Sequence, residues 1–192
     1  MRSPLVLLPL LVALGACNMV ISETPMFGKA DQSKLLPRDG IWLADVEDCK
    51  FDSASKESEW PKCAVWVIAR DSGRELVVSD GKGQSQPVVS TFASGTPSIV
   101  QGQWTDDAKT PVTTTYGFYG LEARDLDADG RFSAASVWPV ECGIQSGAGI
   151  QPFPGISADC RPLSKDSIRA AALASRNAAQ VSTLRWLRPE TR

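Results

Sequence analysis

The sequence predicts a mainly β domain, an antiparallel sandwich or small barrel, carrying one C-terminal α-helix. Three observations predict it. From residue 39 to residue 140, β-branched and aromatic runs alternate with Gly-, Asp-, Ser- and Pro-rich turns at roughly ten-residue spacing. After Cys160 the composition turns alanine-rich and helical. Four cysteines, Cys49, Cys63, Cys142 and Cys160, bracket the polar and Gly/Pro-rich loops that such a domain must fasten.

The elements follow in order. Residues 41–46 form the first strand candidate, and residues 63–70 (Cys-Ala-Val-Trp-Val-Ile-Ala-Arg) a stronger one. Asp71-Ser72-Gly73 turns the chain into residues 74–79, which predicts a hairpin. Asp80-Gly81-Lys82-Gly83 is the next turn. Strands follow at 87–92, 98–104, 112–126 and 131–140. Ser164 is a candidate N-cap, with Asp166 in the first turn, and residues 164–179 read as a helix. Its thin buried face is Ile168, Ala171, Ala172, Ser175 and Ala179. Residues 181–188 are a last strand, with Leu184 and Trp186 on one side. Trp42, Trp66 and Trp138 lie in apolar strand patterns and read as core; Trp60, Trp104 and Trp186 have no assigned place.

The N-terminus carries an address. Arg2 precedes an apolar run over residues 5–13, broken only by Pro9. That run is shorter than the roughly 20 residues a spanning helix needs, so it reads as an export signal. Leu14-Gly15-Ala16-Cys17 closes it and resembles the lipobox of bacterial lipoproteins. The resemblance implies that the Cys17 thiol receives a diacylglyceryl group. It further implies that residues 1–16 are cut away and that the new amino group is acylated. Asn18 is not the Asp that keeps better-known lipoproteins in the inner membrane, so an outer-membrane, periplasm-facing position is favoured. Residues 17–38, with Pro25, Gly28 and Pro37 and little periodicity, read as a lipidated tether before a domain at 39–192. Setting Cys17 aside leaves an even four cysteines for pairing. The simplest pairing joins neighbours, Cys49 with Cys63 and Cys142 with Cys160, among three that are possible.

Composition narrows function. Losing Arg2 takes the formal net charge from −2 to −3, and a mildly acidic, charge-mixed chain is no nucleic-acid binder. There is no histidine. Ser-His-Asp and Cys-His nucleophiles, the usual zinc sites and an imidazole switch are therefore excluded as they are ordinarily built. Glu57 with Glu59 and Asp106 with Asp107 are the carboxylate pairs an acid–base hydrolase would need, but they sit in polar segments. Asp125-Leu126-Asp127-Ala128-Asp129-Gly130 resembles the first half of a calcium loop. Position twelve is Ser136 rather than Glu or Asp, so an acidic hairpin turn at Asp129-Gly130 is the alternative. Asp125, Asp127 and Asp129 are the metal-ligand candidates, and structural calcium is the one cofactor considered. Gly143 to Gly149 reads as a flexible, disulfide-bounded loop.

Gly40-Ile41-Trp42 at the start of the domain is similar to the Gly-x-Trp opening of lipocalin-like barrels. With Cys49 and Cys63 it also resembles small periplasmic inhibitors of bacterial metalloproteases, which insert an N-terminal arm into the protease. The whole layout resembles envelope lipoproteins of Gram-negative bacteria. The function expected is non-enzymatic, through an envelope protein partner or a ligand. A protease inhibitor and a carboxylate-dependent glycan hydrolase are the alternatives.

Overall fold

The computed structural model describes residues 18–45, 49–52, 56, 59–70, 73–79, 85–106, 111–147 and 149–188. Residues 1–17, with the stretch read as an export signal and Cys17, lie outside the described residues. Eight strands make a closed antiparallel barrel: β3 (Gly40–Ala44), β4 (Ala64–Arg70), β5 (Gly73–Ser79), β6 (Ser85–Ala93), β7 (Ser98–Asp106), β8 (Thr113–Leu126), β9 (Arg131–Pro139) and β12 (Ser182–Arg188). Each pairs with its chain neighbour, and β12 closes the ring by pairing with both β9 and β3. The barrel form, not the sandwich, is the one adopted. Among the described residues no helix is long and apolar enough to cross a membrane.

Four smaller strands and one helix decorate the barrel. They are β1 (Ile21–Ser22), β2 (Leu36–Pro37), β10 (Gly143–Ser146), β11 (Gly149–Pro152) and α1 (Lys165–Ser175). The stretch expected as a flexible disulfide-bounded loop forms the β10–β11 hairpin instead. Both expected disulfides are present, with Cα–Cα distances of 6.0 Å for Cys49–Cys63 and 5.0 Å for Cys142–Cys160. Beside the first, Trp60 and Phe51 meet edge to face at 5.6 Å, and Trp60 packs with Ile41 on the barrel's outer side. The side chain of Trp66 is not among those described.

The helix begins where expected. The Ser164 hydroxyl accepts the Ser167 N–H, and Ser167 Oγ accepts the Ser164 N–H. The predicted face is buried at Ile168, Ala171, Ala172 and Ser175. The helix stops at Ser175 rather than at 179. Ser175 Oγ donates to the Ala171 carbonyl and accepts the Glu141 N–H, which ties the last turn to the end of β9.

That face packs on the outside of β7 and β8, where Ile168, Ala171 and Ala172 meet Ile99, Phe118 and Val140 in a second core. Trp138 lies under the helix and donates its indole N–H to the Ala172 carbonyl at 2.8 Å. Gly120, its cross-strand partner, makes the room, since a Cβ there would clash with the indole ring.

The segment expected as a tether is instead a strap on the barrel wall. Val20 is fully buried, and its N–H donates to the Val140 carbonyl at 2.8 Å. β1 pairs with β8, and β2 runs parallel to β9. Between them, buried Gln101 accepts the Met26 and Phe27 N–H groups at 2.8 and 2.9 Å and donates to the Phe27 carbonyl at 3.1 Å. Helix α1 clamps the strap from above. Lys165 Nζ bonds both Asp31 carboxylate oxygens at 2.7 and 2.8 Å, and the Arg169 guanidinium lies 5.3 Å from the Phe27 ring. The strap's apolar residues, Val20, Ile21, Met26 and Phe27, have no common period, so sequence reading sees no element.

Two outcomes follow from this packing. Gly120→Ala is expected to destabilise the protein by about 1–3 kcal/mol through overpacking, read from urea unfolding. The bond from Lys165, then that from the Gly28 N–H, holds the Asp31 carboxyl below the usual carboxylate range. A lowered folded pKa contributes stability that is complete above the ordinary aspartate value of about 3.9 and is lost as pH falls through the folded value. Asp31→Asn should therefore lose melting temperature less steeply than the parent between about pH 5 and about pH 3.

Candidate functional site

An eight-stranded barrel is just wide enough either to be filled by its own side chains or to hold one small ligand. Here the side chains fill one end only. Trp42 and Phe132 are each 2 % exposed and meet edge to face at 5.7 Å, with Phe92 and Val67 packed beside them. Towards the other end the lining becomes half-buried, at Val65, Trp104, Tyr119, Val137 and Leu184. The lining there is also small, with Gly102, Ala135 and Ser90. The result is a cavity of about 420 Å³, within the range of small-molecule sites.

The closed end is sealed by charge as well as by rings. Pro37 lines the cavity floor, and the residues after it form a network. Asp39 pairs with Arg74 at 3.4 Å and with Arg131 at 2.9 Å. Arg38 pairs with Asp127 at 3.1 Å and sits 5.0 Å from the Trp186 ring. Burial lowers the pKa of the Arg74 guanidinium, with Asp39 opposing that shift. At this end too lies the turn between β8 and β9. At the open end lie Ala44, Ala64, Thr113, Pro139 and Ser182, the strand ends that surround the mouth.

Among the described residues the cavity lining is apolar but for two hydroxyls and the indole N–H groups of Trp42 and Trp104. Ser90, fully buried, donates to its neighbour's carbonyl, Val88 O, at 3.3 Å. Tyr119 packs against Trp104, with ring centroids 6.3 Å apart. Among the described residues its hydroxyl has no hydrogen-bond partner, and burial raises its pKa. A phenol O–H in apolar surroundings without a partner is a donor in wait of an acceptor. No charged side chain lines the cavity among the described residues.

The acidic loop forms the turn between β8 and β9. Asp127 Oδ1 accepts the N–H groups of Asp129 and Arg131 at 3.1 and 2.8 Å, and Oδ2 faces Arg38. The bond from the Arg131 N–H is the largest cause holding this carboxyl below the usual range. Gly130, at φ +74°, completes a hairpin turn. Asp125 turns through φ +53°, and its carbonyl accepts the Ser133 hydroxyl. Among the described residues no three acidic or sulfur side chains are grouped to hold a metal ion. Of the carboxylate pairs, Glu57 and Asp107 lie outside the described residues. Cys49, Cys63, Cys142 and Cys160 are joined as disulfides, and none of the four lines the cavity.

Sequence reading passed over Tyr119, Ser90 and Trp104. The available signal was Gly117-Phe118-Tyr119-Gly120, where small residues flank an aromatic pair, together with Ser90 following Val88-Val89 in β6. Asp127→Asn is expected to lower the melting temperature equally in calcium and in chelator, because the carboxylate serves Arg38 and two amides. A calcium-dependent difference would instead make the turn a metal site. Compared with family models, with curated proteins and with solved structures, the chain matches none.

Proposed function

We propose that this is a lipid-anchored, periplasm-facing envelope protein that acts without catalysis by holding a small apolar ligand in its barrel. The ligand has a slender apolar body and at least one hydrogen-bond acceptor. The observation that carries the reading is the half-open apolar cavity with the unpartnered Tyr119 hydroxyl inside it. A lining that among the described residues has no carboxylate, amine or thiol suits binding rather than acid–base or nucleophilic chemistry. The lipobox and the two disulfides support an anchored protein in an oxidising compartment, with the outer membrane favoured by Asn18. Of the two partner classes considered, the geometry favours a ligand. An inhibitor of the kind the sequence resembles needs a free N-terminal arm, and residues 18–38 are fastened along the barrel wall.

The test uses residues 18–192, oxidised, and the fluorescent probe N-phenyl-1-naphthylamine, with a long-chain fatty acid as competitor. The probe should bind with a micromolar dissociation constant. Val137→Phe, which places a ring in the cavity, should weaken binding at least about tenfold. Tyr119→Phe should leave the probe's own affinity unchanged but weaken the fatty acid by roughly two- to tenfold, the worth of one hydrogen bond. Absence of probe binding, or binding indifferent to Val137→Phe, would defeat the reading.

A further inference from the structure

We propose that the Tyr119 hydroxyl and the Trp104 indole N–H form one polar subsite in the barrel wall, and that the ligand it takes is a neutral acyl compound, an ester or ketone, rather than an ionised fatty acid. The inference rests on the cavity reading proposed above and names the class of molecule that cavity selects.

The donors of the lining divide into spent and unspent. The Trp42 indole N–H donates to the Arg38 carbonyl at 2.9 Å, and the Ser90 hydroxyl donates to the Val88 carbonyl at 3.3 Å. The Tyr119 hydroxyl and the Trp104 indole N–H have no hydrogen-bond partner among the described residues. An indole N–H only donates, and burial keeps the Tyr119 phenol protonated, so it donates as well. Two unspent donors call for an acceptor, and the occupant supplies it.

The wall made by β7 and β8 places both donors. Gly102 and Gly117 are cross-strand partners on it. The outer edge of the Trp104 six-membered ring takes the space their side chains would need. A Cβ on Gly102 would lie 2.9 Å from Trp104 Cη2, and one on Gly117 would lie 2.8 Å from Cζ3. The indole thus reaches inward over the glycine pair and meets Tyr119, two residues beyond Gly117, at 6.3 Å between ring centroids. A carbonyl oxygen has two lone pairs, so donors on two touching rings can serve a single carbonyl. Deeper in the barrel the lining is aliphatic, with Val67, Val100 and Leu121, which suits an acyl chain.

The same lining sets the charge of the ligand. Among the described residues it holds no cation to neutralise a carboxylate. Arg74, the cross-strand partner of Ser90, lies outside the lining and pairs with Asp39. Arg185, on β12, pairs with Asp45 at the exposed surface. Moving an ionised group into apolar surroundings without a counter-charge costs far more than moving a neutral carbonyl that gains hydrogen bonds there. A fatty acid therefore enters this site as the protonated acid, whereas an ester or ketone enters as it stands.

The experiment uses residues 18–192, oxidised, which hold every strand of the barrel and both disulfides. N-phenyl-1-naphthylamine is bound and then displaced by methyl decanoate, by decanoate and by undecane, at about pH 8, where decanoate is ionised. Methyl decanoate should displace the probe at a concentration at least about tenfold below that of decanoate. Tyr119→Phe and Trp104→Phe should each lower the affinity for methyl decanoate relative to undecane by roughly two- to tenfold, the worth of one hydrogen bond. Decanoate displacing the probe as well as its methyl ester does would overturn the proposal and leave the cavity reading standing. So would a ratio of methyl decanoate to undecane affinity indifferent to either substitution. A probe that does not bind at all would remove the cavity reading, and this inference with it.

Discussion

Two sets of ladder hydrogen bonds on β12 make the barrel a closed object. This strand is the last in the chain, and it pairs with β9 on one side and β3 on the other. Without it the sheet would have two unsatisfied edges and no lumen. It also contributes Leu184 and Trp186 to the inner core. The chain reaches it only after leaving β9 at Pro139 and completing the hairpin and helix excursion. The excursion is pinned near both ends. The Cys142–Cys160 disulfide closes its first half, and the bonds of Trp138 to Ala172 and of Ser175 to Glu141 hold the helix on the barrel. The return of β12 to the gap therefore depends on packing far from the lumen.

The strand β8 carries the second constraint, because both its faces are buried. Tyr119 and Leu121 face the lumen, while Phe118 and Gly120 lie beneath the strap and helix. One wall thus serves two cores, and a change of volume on either face is transmitted through a single backbone. Its glycines record this. Gly117 yields space to Trp104 and Met19, and Gly120 yields space to Trp138. At Gly120 the Trp138 ring packs in the outer core, whereas at Gly117 the Trp104 ring lies on the lumen side.

The two ends of the barrel differ in kind. At one, rings and an Arg–Asp network exclude water; at the other, half-buried aliphatic and aromatic groups are left open to it. Exposed apolar surface inside a cavity favours an apolar occupant, and the Tyr119 hydroxyl, without a partner among the described residues, gives such an occupant a direction. The strap begins against the wall that lines the cavity, where β1 pairs with Tyr116 and Gly117 of β8.

Much of the scaffold was legible because it is written in local periods. Alternation located the strands β3 to β9 and β12, the apolar stripe Ile168, Ala171, Ala172 and Ser175 located the helix face, and turn residues located the β8–β9 hairpin. Neighbouring cysteines paired as their spacing suggested. The tertiary structure alone decided that the sheet closes, because pairing of β12 with β3 joins opposite ends of the domain and no local pattern encodes its register. It alone decided that residues 18–38 are a strap, because Val20, Met26 and Phe27 find separate pockets without sharing a face. It decided that Asp127 serves a turn and Arg38, since that arginine is remote in sequence. And it placed Tyr119 in the cavity: a buried aromatic reads the same in a filled core as in an open lumen, and only the volumes of its neighbours across the barrel distinguish the two.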